Sequence, residues 1–213
     1  VYWALVFTDV SRSILFLYTS PFMVAVGAHF LLPNERMGAA QVAGLLCAFG
    51  GLVLALRDSL SVPSPTALIG DLMMLAAAIC WTVSTLVIKT TSLVKIHSAK
   101  MLAYQLGVTA LTMPLALLAG ESGITRFDGL VAASLAYQIV IVAFLSYLGW
   151  FALVRTYPAS TLSVFTFLSP LFAMLSGAYF LNERVSPLLW IALALVVFGI
   201  WLVNRPRKKT MQA

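Results

Sequence analysis

Three features of the sequence predict an all-α integral membrane protein, a polytopic helix bundle built from two inverted five-helix repeats. Uncharged apolar runs of about twenty residues, enough to cross a bilayer's hydrocarbon core as a helix, recur along the chain. The charged residues, 9% of the total, are gathered into the short gaps between those runs. Separate stretches of the chain also match one another at a nearly fixed spacing. With 62% hydrophobic residues and a mean hydropathy of +1.00, the chain cannot have water as its main solvent. A soluble domain of this length needs charges over most of its surface.

The chain opens in apolar sequence at residues 1–7, too short to span and read as the tail of a helix that begins upstream. Seven fuller runs follow, at 13–32, 37–56, 68–88, 101–118, 130–154, 161–181 and 186–203. Apart from Cys and Tyr, their only ionisable residues are His29 and Asp71. The connections 33–36 and 182–185 are short enough to force antiparallel hairpins. The longest connection, 57–66, carries Asp58, Pro63 and Pro65 and reads as a boundary. The predicted organisation is the end of a first repeat at 1–57 (the tail of helix 3, then helices 4 and 5), a linker at 58–66, a second repeat at 67–205 (helices 6 to 10), and a basic tail at 206–213.

The net charge of +6 does not point to nucleic acid. Its densest cluster, Arg205, Arg207, Lys208 and Lys209, directly follows an apolar run and reads as a membrane-flanking anchor. Nine Lys and Arg fall on one side of the predicted spans and four on the other, which places the C-terminus in the cytoplasm; the membrane expected is the cell's inner or plasma membrane. Cys47 and Cys80 both lie inside apolar runs, which argues against a disulfide framework or a Cys-based metal site.

The repeat is the most specific signal. At an offset of 148, Ala4, Leu5, Val6 and Thr8 match Ala152, Leu153, Val154 and Thr156; Asn34-Glu35-Arg36 matches Asn182-Glu183-Arg184; and Gly51, Leu54 and Arg57 match Gly199, Leu202 and Arg205. Between these anchors the offset slips by one, pairing Phe16, Ser20 and Pro21 with Phe165, Ser169 and Pro170. Five spans separate Glu35 from Glu183, and an odd number puts the two loops on opposite faces, so the repeats are inverted. Two similar halves of opposite topology can exchange conformations and open a midplane site to each side in turn. Projected backwards, the repeat places the start of the first copy roughly eighty residues before Val1, giving ten helices for an intact protein. A chain holding only the end of its first repeat is expected not to transport by itself.

These residues resemble the EamA-like, ten-helix members of the drug/metabolite transporter superfamily. The resemblance rests on a Ser-Pro inside the fourth helix of each repeat (Ser20-Pro21, Ser169-Pro170), an acidic-basic loop (Glu35-Arg36, Glu183-Arg184), a following helix with an internal glycine (Gly51, Gly199), and Gly70-Asp71-Leu72 with Trp81 at the opening of the second repeat. Two departures stand out: the first loop is one residue longer than the second, and Gly44 is matched by Ala192. The resemblance implies a transporter of small metabolites, often an exporter of amino acids or drug-like amphiphiles, with protons as a candidate coupling ion and no prosthetic cofactor.

Pro21 and Pro170 each remove a backbone hydrogen bond, which makes them candidates for cavity-facing kinks; Pro114 marks only a bend. Tyr18, Trp81, Ser84, Tyr147, Phe165 and Thr166 lie near the expected midplane, where they could stack on and hydrogen-bond to substrate, although packing is the commoner role for any one of them. Glu35 and Glu183 precede helices, and a helix-start role is preferred to a gating or proton-coupling one; Arg36 and Arg184 pair locally or anchor at the interface. Asp71 is a candidate coupling acid, but its place just after Gly70 favours a helix-start role. His29 is read as hydrogen-bonded packing, and Lys89 as snorkelling to the cytoplasm.

Two other functions compete. An intramembrane enzyme needs clustered chemistry within the bilayer, and His29 and Asp71 have no evident partners there; a retinal protein needs a mid-span lysine, which is absent. A receptor-like or structural bundle is the remaining alternative. Gly44 and Ala48 are candidates for a small-residue helix contact in a homodimer.

Overall fold

The structure is a computed structural model, and it describes residues 1–57, 60, 66–118, 127–181 and 187–205. Most of the predicted linker, the basic tail after Arg205, and the loop holding Glu183 and Arg184 lie outside the described residues. The described chain is all-α. Its helices are α1 (Val10–Leu17), α2 (Ser20–Leu31), α3 (Ala39–Leu56), α4 (Ala67–Thr90), α5 (Ser98–Leu118), α6 (Gly129–Tyr137), α7 (Tyr147–Thr156), α8 (Ala159–Phe165), α9 (Leu168–Leu181) and α10 (Pro187–Val203).

Among the described residues, five helical paths are long and apolar enough to cross a membrane: Val10–Leu31, Ala39–Leu56, Ala67–Thr90, Gly129–Thr156 and Ala159–Phe180. To these the 17-residue α10 adds an apolar helix, and α5 adds a 21-residue helix that runs through Pro114. The pattern of α4 shows why such sequences need lipid. Ala67, Gly70, Asp71, Met74, Ala78, Thr82, Thr85 and Ile88 form a buried stripe at three- and four-residue spacing. Yet the opposite face is apolar too, with Leu68, Leu72, Ile79, Val83 and Val87 exposed. The segment at residues 1–7 is a short 3-10 turn, Tyr2–Val6.

The chain divides into two compact units, 91–157 and the remainder. In the smaller unit α5 packs on α7. Asp128 caps α6 by accepting from the Val131 N–H at 2.8 Å. The predicted span 130–154 is one path from Gly129 to Thr156, but its centre, Gln138–Ser146, is π-helical, a widening that the sequence reading did not foresee. Arg155, in the last turn of α7, donates to the Val94 carbonyl at 3.1 Å and the Ser98 hydroxyl at 3.5 Å, holding that helix end against the start of α5.

In the larger unit the equivalent helices of the two repeats run antiparallel. The C-terminal end of α2 lies by the start of α8, where Val24, Ala28 and Ala159 pack together with Leu32 and Leu86. α3 and α10 form the most extensive contact, and glycine makes it possible. A Cβ on Gly44 would sit 2.6 Å from the Gly199 carbonyl oxygen; on Gly51, 2.8 Å from the Ala192 carbonyl oxygen; on Gly199, 2.4 Å from the Gly44 carbonyl oxygen. Position 44 thus meets 199 while 51 meets 192, and because 44 corresponds to 192 and 51 to 199, exchanging the repeats turns each pair into the other. The small-residue face of Gly44 and Ala48, read as a surface for homodimer contact, is filled within the chain by the backbone and side chains of α10. Beyond this seam Arg205 lies over the Trp201 ring at 5.3 Å, a cation–π contact suited to a membrane interface.

Candidate functional site

Both Ser-Pro segments break their helices instead of merely bending them. The path from Val10 to Leu31 is interrupted at Tyr18–Thr19, and the path from Ala159 to Phe180 at Thr166–Phe167. Pro21 and Pro170, both buried, sit in the first turns of the helices that resume. A proline N cannot donate to the carbonyl one turn back, and just upstream the chain tightens into a three-residue turn. The Thr19 N–H reaches back three residues to Phe16, and the Thr166 N–H likewise to Ser163. The Thr19 and Thr166 hydroxyls donate to the same two carbonyls, each at 2.6 Å. Each break thus carries one threonine stitch, which satisfies the hydroxyl on its own backbone in an apolar medium.

The breaks meet. The rings of Tyr18 and Phe167 lie 5.9 Å apart, and the Tyr18 hydroxyl hydrogen-bonds to Ser169. Phe167, fully buried, also meets Phe22 at 6.3 Å and Phe49 at 6.2 Å, while Phe22 and Phe49 stand edge to face at 5.1 Å. Thr82 of α4 closes the side by donating to the Ala78 carbonyl at 2.8 Å and to the Ser20 carbonyl at 3.4 Å. The result is an aromatic plug at mid-span with a few hydroxyls at its edge, a chemistry suited to stacking and sparse hydrogen bonding. Replacing Tyr18 by Phe is expected to cost about 1 kcal/mol of stability through the lost bond to Ser169. Thermal unfolding in detergent checks this.

The other candidate residues take separate places in the fold. Phe165 is 45% exposed, and the ring that meets Tyr18 is that of Phe167. Trp81 and Ser84 lie off the buried stripe of α4, and Thr82 is the residue that reaches the first break. Tyr147 begins α7 in the smaller unit, half-buried. Thr166 acts on its own backbone.

Ionic clusters occupy both ends of α4. Asp71 lies in the second turn, since α4 begins at Ala67, and its carboxylate serves no helix start: it accepts from the Thr8 hydroxyl at 2.9 Å and pairs with Arg12. Gly70 allows this approach, as a Cβ there would stand 2.8 Å from the Ala4 carbonyl oxygen. At the other end Glu35 accepts from the Ala159 N–H at 2.6 Å, so the helix start it serves is that of α8, not the α3 that follows it. Its second oxygen lies 3.6 Å from the Lys89 ammonium, which turns inward with its side chain 9% exposed instead of snorkelling. Arg36 is exposed. His29 accepts from the Met37 N–H at 2.9 Å, tying the end of α2 to the approach of α3.

Antiparallel matched helices, broken at mid-span and bonded by charge at both ends, define a polytopic membrane protein of the internally repeated, helix-breaking type. Residues 68–205 match the EamA-like transporter family, and the chain belongs to that family, within the drug/metabolite transporter superfamily. It is 25% identical to an "uncharacterized transporter" of Archaeoglobus fulgidus over 94% of this chain and 69% of that protein. It is 30% identical to the "uncharacterized transporter YvbV" of Bacillus subtilis, over 82% of this chain and 57% of that one. It is 24% identical to the "probable amino-acid metabolite efflux pump" of Escherichia coli, over 85% and 62% respectively. The chain therefore spans between 57% and 69% of the length of these relatives. A solved crystal structure shares the fold with a TM-score of 0.83 at 22% identity, covering 95% of this chain and 71% of that one.

Proposed function

We propose that the protein works as a secondary transporter by alternating access, exporting small metabolites such as amino acids or drug-like amphiphiles. The reading places it in the inner or plasma membrane with its C-terminus in the cytoplasm and the proton gradient as driving force. One observation carries it: equivalent elements of the two repeats meet antiparallel, α3 on α10 and the first break on the second. Halves related in this way can exchange conformations, which is what exposing one midplane site to each side in turn requires. The aromatic plug with its peripheral hydroxyls supports a small substrate that is partly apolar. The relative named as an amino-acid metabolite efflux pump supports the substrate class and the outward direction. The work is conformational, so the reading assigns no bond-breaking step to any side chain.

The full-length protein, reconstituted in vesicles under a pH gradient, is expected to move at least one member of a panel of amino acids and amphiphiles. Failure with every member would overturn the reading. Single cysteines placed beside Glu35 and beside Glu183 are expected to react with an impermeant thiol reagent from opposite faces. Reaction from the same face would refute the inversion.

A further inference from the structure

We propose that the two ionic clusters at the ends of α4 are reciprocal latches, each closing one face of the membrane and each opening only while the other is shut; this rests on the alternating-access reading above. Eighteen positions separate Asp71 from Lys89, about 27 Å of helix, close to the roughly 30 Å of a bilayer's hydrocarbon core. Both partners come from before the linker: Arg12 and Thr8 at one end, Glu35 at the other. The Glu35 carboxylate grips two elements at once, Lys89 of α4 and the first N–H of α8. α4 is thereby fastened at both ends to the same preceding segment, and between the fastenings its Thr82 hydroxyl donates to the Ser20 carbonyl of that segment.

The energetics suit a latch. All these charges are largely withdrawn from water, with side-chain exposures of 21% for Arg12, 4% for Asp71, 9% for Lys89 and 13% for Glu35. In a low dielectric a closed ion pair and two separately hydrated ions come out nearly even, whereas two separated ions facing lipid are strongly disfavoured. Each pair can therefore open by admitting water and in no other way, so that opening creates an aqueous vestibule at that end alone. At the Asp71 end the closed form carries an added penalty, since Arg12 Nε and Ser13 Oγ are buried without a hydrogen-bond partner among the described residues. Water entering there would satisfy both.

The test uses two buried sensors in the full-length protein with Cys47→Ala and Cys80→Ala: Ser13→Cys at the Asp71 end, and Ala28→Cys beneath the Glu35 end. Labelling rates with an impermeant methanethiosulfonate cation are measured in right-side-out and inverted vesicles. Glu35→Gln, which keeps an acceptor for the Ala159 N–H but removes the charge, is expected to speed labelling of Ala28→Cys at least about fivefold, the effect of ~1 kcal/mol of coupling, and to slow that of Ser13→Cys. Asp71→Asn is expected to do the reverse. If each substitution changes only the sensor beside it, or neither changes, the latches are static and the proposal falls. Sensors that react from opposite faces but do not move in opposition overturn the latches and leave alternating access standing. Sensors that react from the same face, or not at all in any background, overturn both. Should Asp71→Asn elute as aggregate, the slowing of Ser13→Cys by Glu35→Gln decides the question alone.

Discussion

Gly199→Ala is expected to destabilise the protein by about 2 kcal/mol or more, while Gly50→Ala, made in the partner helix, stabilises it by up to about 1 kcal/mol. The two substitutions add the same methyl group, and both gain the helix propensity that Ala has over Gly. They differ in what that methyl meets. At Gly199 it would lie 2.4 Å from the Gly44 carbonyl oxygen and 2.8 Å from the Ala48 backbone nitrogen, whereas at Gly50 nothing stands within 4 Å. Backbone atoms cannot rotate aside as a leucine methyl can, so relief requires α3 and α10 to separate along their length. Gly51→Ala and Gly44→Ala should behave like Gly199→Ala, with first backbone collisions at 2.8 and 2.6 Å. Unfolding midpoints in detergent for the four variants separate packing from propensity, and equal shifts at positions 50 and 199 would refute the seam.

The second large effect is expected at the Asp71 cluster. Removing one partner of a buried ion pair strands the other charge, which costs about 3–5 kcal/mol. Arg12 is a fifth exposed, so Arg12→Ala should fall near the lower end of that range. It leaves the Asp71 carboxylate with the hydrogen bond donated by the Thr8 hydroxyl. The paired substitution Arg12→Leu with Asp71→Leu is expected to recover most of the loss, because two apolar side chains need no compensation. A double-mutant cycle on unfolding free energy checks this: additive losses would mean that the pair contributes nothing.

How much of this was legible in the sequence depended on the range of the interaction concerned. Span positions follow from local apolarity over about twenty residues, and the structure moves most of their ends by only one to three residues. Pro21 and Pro170 signal that something interrupts their helices, but not that the chain gives way two to four residues upstream, where Thr19 and Thr166 can stitch it. The ring that meets Tyr18, that of Phe167, lies within the second break, where a helical face cannot be extrapolated from the sequence. The partners of Glu35 and Asp71 lie 124 and 59 residues away along the chain, a separation over which no spacing rule operates. One signal was available for the second pair, since Arg12 directly precedes one run and Asp71 begins another on the same predicted face. The π-helical stretch Gln138–Ser146 follows from nothing local: its residues are ordinary membrane apolars.

The seam between α3 and α10 has a mechanical consequence. Side-chain interfaces can yield by small rotamer changes spread over many residues, but main chain laid on main chain has no such compliance. The two helices therefore behave as a single stiff post, and distance labels at their exposed faces should give one sharp value whatever the rest of the molecule is doing. Motions elsewhere in the unit can be measured from that post as from a surveyor's fixed mark.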